Sequence, residues 1–117
     1  DDQKTNFYTA LYHLLIQPNN IADVNGQYKN AKDSVSLSPF GAYYSTFSLW
    51  DTYRAAHPLY TILTPELLPD MINSMLLHAE CQGYLPIWTL WGKETHCMIG
   101  NHGSGYCGGL FERFSRN

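Results

Sequence analysis

The run TPELLPDMINSMLLHAECQG, over residues 64–83, decides the fold of this chain. Thr64 is a residue type favoured at the N-cap of a helix, and Pro65 is favoured at the first helical position. Gly83 is typical of the position just beyond a helix end. Apolar side chains recur at helical spacing between these signals, at Leu68, Met71, Ile72, Met75, Leu76 and Ala79. The run therefore predicts a helix over 65–82 with one side buried in the core.

Two more segments have helical character. Phe7, Leu11 and Leu14 follow helical spacing and predict a helix over residues 4–17, which Pro18 ends. A shorter helix is predicted from about residue 50 to residue 54, with Pro58 bending or interrupting it. Residues 103–117 contain four glycines and no periodicity. We therefore expect a mainly α fold in which long, aromatic-rich loops join the helices.

Length and composition exclude several classes of protein. A chain of 117 residues fits one domain at most, and a net charge of −3 with seven Lys+Arg leaves no basic patch for nucleic acid or an anionic membrane. No apolar run approaches the roughly 20 residues that span a bilayer. Residues 1–4 have no signal-peptide character, and three cysteines cannot form a complete disulfide framework.

The run TFSLWDTYRAAHP, over residues 46–58, holds the groups best suited to chemistry. Trp50 offers an apolar plate for a sugar ring, while Asp51 and Arg54 are charged groups able to hydrogen-bond hydroxyls. The same residues also suit a plain helix start, with Asp51 as a capping residue that pairs with Arg54. The residue types alone leave both interpretations open.

Two other functions are compatible with the composition. The four residues His96, Cys97, His102 and Cys107 are zinc ligands by type, although their spacing matches no strong zinc motif. Nine Tyr, five Phe and three Trp also suit a non-catalytic carbohydrate-binding module, but they equally suit an ordinary core. A zinc-binding helical domain and a sugar-binding module are therefore the alternatives to an enzyme.

Five stretches, in order, resemble glycoside hydrolase family 92, a family of calcium-dependent exo-α-mannosidases. They are FYTALYH at 7–13 with Pro18-Asn19 after it, DVNGQY at 23–28, the run at 46–58, GYLPIW at 83–88 and ETHCMIGNH at 94–102. The resemblance implies a secreted, periplasmic or cell-surface parent built from a β-sandwich and an (α/α)6 barrel. Residues 1–102 are then a fragment of that catalytic barrel. Because the fragment has too few helices to close a barrel, we expect some apolar helix faces to be exposed.

The resemblance also implies a reaction and its cofactor. Members are inverting enzymes that remove terminal α-linked mannose from N-glycans or mannans. A Ca²⁺ ion binds two hydroxyls of the sugar, as suits a hard cation with oxygen ligands. The resemblance does not identify calcium ligands in this chain.

Site residues follow from the matching stretches. Trp50 and Asp51 are expected in the pocket for the terminal mannose, with Arg54, Trp88 and Glu94 lining or supporting it. Inversion needs a carboxylic acid and a carboxylate base on opposite faces of the sugar. The family carries them in Glu-Gly-Asn and Asn-Asp-Asp motifs, which this sequence lacks. We therefore assign no catalytic residue and expect the chain alone to be inactive.

Residues 103–117 are expected to be a non-native, frameshifted tail. Relatives continue after the position of His102 with an apolar helix led by Ala-Val. One permitted back-translation of residues 103–117, read one base later, gives AVVIVEAYLKDFRG, which has that apolar pattern. The glycine-rich tail then has no evolved structure, and Cys107 is no metal ligand.

Overall fold

The computed structural model of the chain describes residues 1–115, with the side chains of residues 1–109. The described residues form five α-helices and six short strands. The helices are α1 (Asp2–Leu14), α2 (Leu49–Thr52), α3 (Ala56–Leu63), α4 (Leu68–Gln82) and α5 (His102–Ser115). The strands are β1 (Asn19–Asn20), β2 (Gln27–Lys29), β3 (Val35–Leu37), β4 (Tyr44–Ser45), β5 (Thr89–Leu90) and β6 (Lys93–Glu94).

Helix α4 is the centre of the core, as its sequence predicts. A 3-10 turn at Pro65–Leu67 leads into it, and Gly83 ends it in the left-handed conformation at φ 88°. Its inner side packs against the loop before α2, the first residue of α2 and helix α3. The resulting cluster consists of Phe47, Leu49, Tyr60, Leu68, Met71, Ile72 and Met75. Thr64 occupies the cap position, but its side chain makes no capping hydrogen bond. The predicted helix is confirmed, and the predicted cap interaction is not formed.

The mainly α expectation needs correction, because the long loops fold into three two-stranded antiparallel sheets. Strand β1 pairs with β4, β2 with β3 and β5 with β6. The hairpins β2–β3 and β5–β6 meet closely at Gly92, where a Cβ atom would lie 2.5 Å from the Lys29 carbonyl oxygen. The chain is a mixture of helices and small sheets, and a partial (α/α)6 barrel stays a prediction.

Helix α1 is the outlier of the fold. It confirms the predicted N-terminal helix, yet none of its residues is buried. The Tyr60 hydroxyl, 2.7 Å from the Leu14 carbonyl and 2.9 Å from that of Gln17, ties its end to the core. Phe7, Tyr8 and Tyr12 are more than half exposed. The expected exposed apolar surface is therefore present on α1.

The segment that follows residue 102 is helical, although its sequence shows no helical periodicity. Residues 102–115 form helix α5, although glycine costs about 1 kcal/mol in a helix interior relative to alanine. Gly103 lies tightly against Pro86 and Leu85, and Tyr106 and Cys107 pack on the core cluster. Tertiary contacts therefore outweigh poor local propensity here. No helix within residues 1–115 is both long and apolar enough to cross a bilayer.

Candidate functional site

A surface depression of about 370 Å³ lies where α2 begins and α5 approaches it. Its lining consists of Trp50, Asp51, Tyr53, Arg54 and His102. The structure therefore brings together three of the five predicted site residues, and it adds Tyr53 and His102. The volume lies within the range of small-molecule sites.

The start of α2 shows how Asp51 is held. The Ser48 hydroxyl donates to the Asp51 carboxylate across the first turn, and the Asp51 amide lies 3.0 Å from the Ser48 carbonyl oxygen. The two ion pairs found among the described residues join Asp33 to Lys29 and to Lys93, so Arg54 takes part in neither. The Arg54 guanidinium instead donates a hydrogen bond to the Tyr53 hydroxyl at 3.2 Å. Asp51 therefore contacts the N-cap residue Ser48, but its side chain makes no capping hydrogen bond to a backbone amide, and the Asp51–Arg54 pair is not formed.

Tyr53 and His102 form one wall of the depression. Their rings stack with centroids 4.0 Å apart and planes only 6° from parallel. Gly100, at φ 119°, lies so close to the imidazole that a Cβ atom there would be 2.6 Å from His102 Nε2. Both residues fall inside stretches that resemble family 92, but nothing in their spacing predicted this contact, because 49 positions separate them.

A backbone bridge connects the loop before α2 to the segment that contains Trp88. Ser48 and Trp88 form an isolated antiparallel bridge, and the Leu49 amide donates to the Ile87 carbonyl at 3.2 Å. Thr46 precedes this bridge with φ 65° and is 4% exposed, a strained conformation for a β-branched residue. The loop that presents Trp50 and Asp51 is therefore fixed by long-range contacts and not by local sequence preference.

Glu94 and Trp88 do not line the depression. Glu94 is 8% exposed, and its carboxylate accepts hydrogen bonds from the amides of Ile87 at 2.7 Å, Trp88 at 3.0 Å, Thr95 at 3.1 Å and His96 at 3.3 Å. Trp88 is half-buried, and its backbone lies between Glu94 and Ser48. Glu94 thus has the geometry of a support and not of a group free to meet a sugar hydroxyl.

A second groove, of about 430 Å³, runs between α3 and α5 and shares Tyr53 and His102 with the depression. Its floor includes His57, which is 2% exposed and whose Nδ1 has no hydrogen-bond partner among the described residues. Burial lowers the pKa of His57 to about 4, so the ring is neutral at pH 7. Gly105 and Gly109 also line this groove. The groove exists partly because these two positions of α5 carry no side chain.

The zinc alternative finds no support in the geometry. His102 stacks on Tyr53, Cys107 packs with its sulfur 3.9 Å from that of Met75, and Cys97 is exposed. No group of three or more His, Cys, Asp or Glu residues is placed to hold a metal ion within the described part of the chain. The same finding bears on calcium, which takes six to eight oxygen ligands. With only Asp51 as a carboxylate at the depression, the described residues do not fit a calcium site by themselves.

Comparison with known proteins decides the family. The glycosyl hydrolase family 92 catalytic domain matches residues 1–111. The chain belongs to glycosyl hydrolase family 92. A match to a catalytic domain also disfavours the alternative of a free-standing sugar-binding module. No curated protein sequence matches this family 92 chain significantly.

Solved structures of family 92 enzymes are similar to this chain. An α-mannosidase from Bacteroides thetaiotaomicron, in complex with mannoimidazole, is 39% identical with a TM-score of 0.81 over 86% of this chain and 13% of its own. A structure of the same enzyme described without that ligand is also 39% identical, with a TM-score of 0.84. It covers 89% of this chain and 14% of its own. An inverting mannosidase from that organism is 28% identical with a TM-score of 0.79, over 95% of this chain and 15% of its own.

This family 92 chain therefore spans about one seventh of the length of those enzymes. The match to the family also extends past residue 103, where the tail was predicted to begin. Contact of Trp50, Asp51, Arg54, Trp88 and Glu94 with a sugar stays a prediction.

Proposed function

We propose that this chain forms part of the mannose-binding site of an inverting exo-α-mannosidase. The observation that carries the proposal is the meeting of Trp50, Asp51 and Arg54 in one depression of a family 92 chain. A similar enzyme was solved with mannoimidazole, and another is an inverting mannosidase. The proposed substrates are terminal α-linked mannosides of N-glycans or mannans.

Each of the three residues has a role that its geometry permits. Trp50 is 48% exposed, so part of its indole is available to stack on the C–H face of a sugar ring. One carboxylate oxygen of Asp51 accepts a hydrogen bond from Ser48, while the other oxygen has no hydrogen-bond partner among the described residues. That oxygen accepts a hydrogen bond from a mannose hydroxyl. Arg54 donates to a neighbouring hydroxyl, since it forms no ion pair within that part of the chain.

The chain supplies binding and not the catalytic carboxyl pair. Inversion needs two carboxyl groups about 6.5–9.5 Å apart with a water between them. Glu94 already accepts from four backbone amides, which makes it a poor acid or base. We therefore assign the acid and base to the rest of the whole protein and expect no hydrolysis by these 117 residues alone.

Other parts of the proposal concern the whole protein. We propose that these helices belong to an (α/α)6 barrel, which would cover the exposed side of α1. We also propose a Ca²⁺ ion with ligands from outside the described residues, and a location outside the cytoplasm, where N-glycans and mannans occur.

A chelator such as EDTA should abolish mannoside hydrolysis by the whole enzyme, and added Ca²⁺ should restore it. Full activity in EDTA would remove calcium from the proposal.

Residues 103–117 remain, in this proposal, a frameshifted reading of a native apolar helix. The structure of α5 supports it in one respect. A Cβ atom would meet nothing within 4 Å at Gly105 or Gly109, and both line the groove beside α3. The other reading frame places valine and alanine at these two positions, which would fill part of that groove. Nucleotide sequence in which the other frame fails to continue into family-like protein would refute the idea.

The central test is Asp51→Asn in the full-length protein. Loss of a hydrogen bond to a charged group costs about 1.5–3 kcal/mol, so we expect kcat/KM for an α-mannoside to fall roughly 10- to 150-fold. Circular dichroism and the unfolding midpoint should stay unchanged, since Asp51 is exposed. Glu66→Gln, which changes an exposed acid that does not line the depression, is the matched control. Normal activity of Asp51→Asn would leave Asp51 with only its structural contact to Ser48 at the start of α2.

A further inference from the structure

Glu94 is a buried acid whose hydrogen bonds all lead to backbone. Two of its amide donors, Ile87 and Trp88, precede strand β5, and two others, Thr95 and His96, follow strand β6. One carboxylate therefore closes the open end of the β5–β6 hairpin. Hydrogen bonds from amides to an ionised group are about twice as strong as neutral ones.

The hairpin end that Glu94 closes is also the surface that holds the loop before α2. The Leu49 amide donates to the Ile87 carbonyl, and the Thr89 amide donates to the Phe47 carbonyl at 3.0 Å. The Phe47 amide donates in turn to the Thr89 hydroxyl at 3.2 Å. Ser48, between these contacts, bridges to Trp88 and donates to Asp51. Hydrogen bonds and the short backbone segments between them thus connect Glu94 to Asp51.

We propose that Glu94 is a positioning residue for the mannose site, which sets the place of Asp51 through the backbone of residues 87–89 and 47–49. The inference rests on the proposed function, because it assigns Glu94 to the same site. It gives Glu94 no contact with the sugar. It also explains why the only strongly buried acid among the described side chains lies beside the site without lining it.

The experiment compares Glu94→Gln with wild type in the full-length protein. A glutamine side chain turns an N–H₂ group toward backbone N–H donors, so at least one amide hydrogen bond is lost. Hydrogen exchange by mass spectrometry should become faster in residues 87–96 and also in residues 46–54. The matched control, Glu66→Gln, removes the same charge from an exposed position and should change neither segment.

Kinetics with an α-mannoside give the second readout. A misplacement near 1 Å costs about 100-fold in rate, so we expect kcat/KM to fall roughly 10- to 100-fold, with KM carrying most of the change. The double variant Glu94→Gln/Asp51→Asn should be no worse than Asp51→Asn alone, because Glu94 acts through Asp51. Glu94→Asp, which keeps the charge, should retain an intermediate activity.

Three outcomes would overturn the inference. Additive losses in the double variant would mean that Glu94 affects the mannose site by a route other than Asp51. Faster exchange confined to residues 87–96, with normal KM, would leave Glu94 as a support of the hairpin only. Should Glu94→Gln fail to fold, unchanged exchange in 46–54 for Glu94→Asp would refute the link. If the wild type binds no mannoside, the proposed function fails, while the exchange data still decide whether Glu94 positions residues 46–54.

Discussion

Helices α1 and α4 have similar lengths and opposite surroundings. Six residues of the 15-residue α4 are buried, whereas none of the 13 residues of α1 is. Both carry apolar side chains at helical spacing, so their sequences predict the same behaviour. The difference teaches that α4 finds its packing partners among the described residues, whereas α1 meets them mainly at its C-terminal end, through Leu14. For a chain that spans about one seventh of its relatives, we infer that α1 is completed by other parts of the whole protein.

The largest difference should come from truncating the core side of α4. Met75 is 0% exposed, so Met75→Ala should lower the free energy of unfolding by about 2–5 kcal/mol through lost burial and a residual cavity. Leu76→Ala, one position along and 44% exposed, is the control and should cost much less. Urea unfolding followed by circular dichroism measures both. Equal losses would mean that α4 does not pack as described.

The second contrast concerns histidines and pH. Burial lowers the pKa of His57 to about 4, and it lowers the pKa of His78 on α4 against the opposing effect of the Glu94 charge. An unfolded histidine has a pKa of about 6.5, so the unfolded chain takes up protons first as the pH falls. The stabilisation from His57 is therefore complete above pH 6.5 and is lost progressively down to about pH 4.

The size of this pH effect follows from the shift. For His57 it amounts to at most about 3 kcal/mol. His57→Phe should flatten the fall in unfolding free energy between pH 6.5 and pH 4. The exposed His13 of α1 is the control, and His13→Gln should leave the slope as it was. Matching slopes for wild type and His57→Phe would show that water reaches the His57 ring.

The smallest effect is expected on the exposed side of α1. Tyr12 is 68% exposed, so Tyr12→Ser should change the free energy of unfolding by less than about 0.5 kcal/mol. The same change should reduce self-association of the chain, because it removes part of an exposed apolar surface. Analytical ultracentrifugation at rising concentration measures it. A loss above 1 kcal/mol would show that α1 packs on this chain in solution and would end the contrast with α4.

The sequence predicted α4 well because its signals are local. Pro65 and Gly83 mark its ends, and its apolar side chains repeat every three or four residues. The small sheets were not predicted, because strands of two or three residues carry no alternation to detect. Strand β1 at Asn19–Asn20 pairs with β4 at Tyr44–Ser45, and nothing local links segments so far apart. Helix α5 was missed for the related reason that tertiary contacts hold a glycine-rich segment.

The sequence predicted which residues belong to the candidate site better than it predicted how they are arranged. Trp50, Asp51 and Arg54 were found together because they are neighbours in the chain. Tyr53 was overlooked as a wall of the depression, since its stacking on His102 depends on how α5 returns to α2. Glu94 was expected near the site, but the sequence does not show that four amides occupy its carboxylate. Long-range backbone contacts decide such details.

Gly92 has a consequence for recognising related chains. Its φ of 85° disfavours any side chain, and a Cβ atom there would collide with the Lys29 carbonyl oxygen. The hairpins β2–β3 and β5–β6 therefore approach each other closely at Gly92, next to the Lys93–Asp33 ion pair, and a change in one turn should affect the other. Homologous sequences that keep both hairpins should carry glycine here, whereas those that lose it should also show an insertion or deletion near residue 29. We therefore expect the two hairpins to change together among related chains.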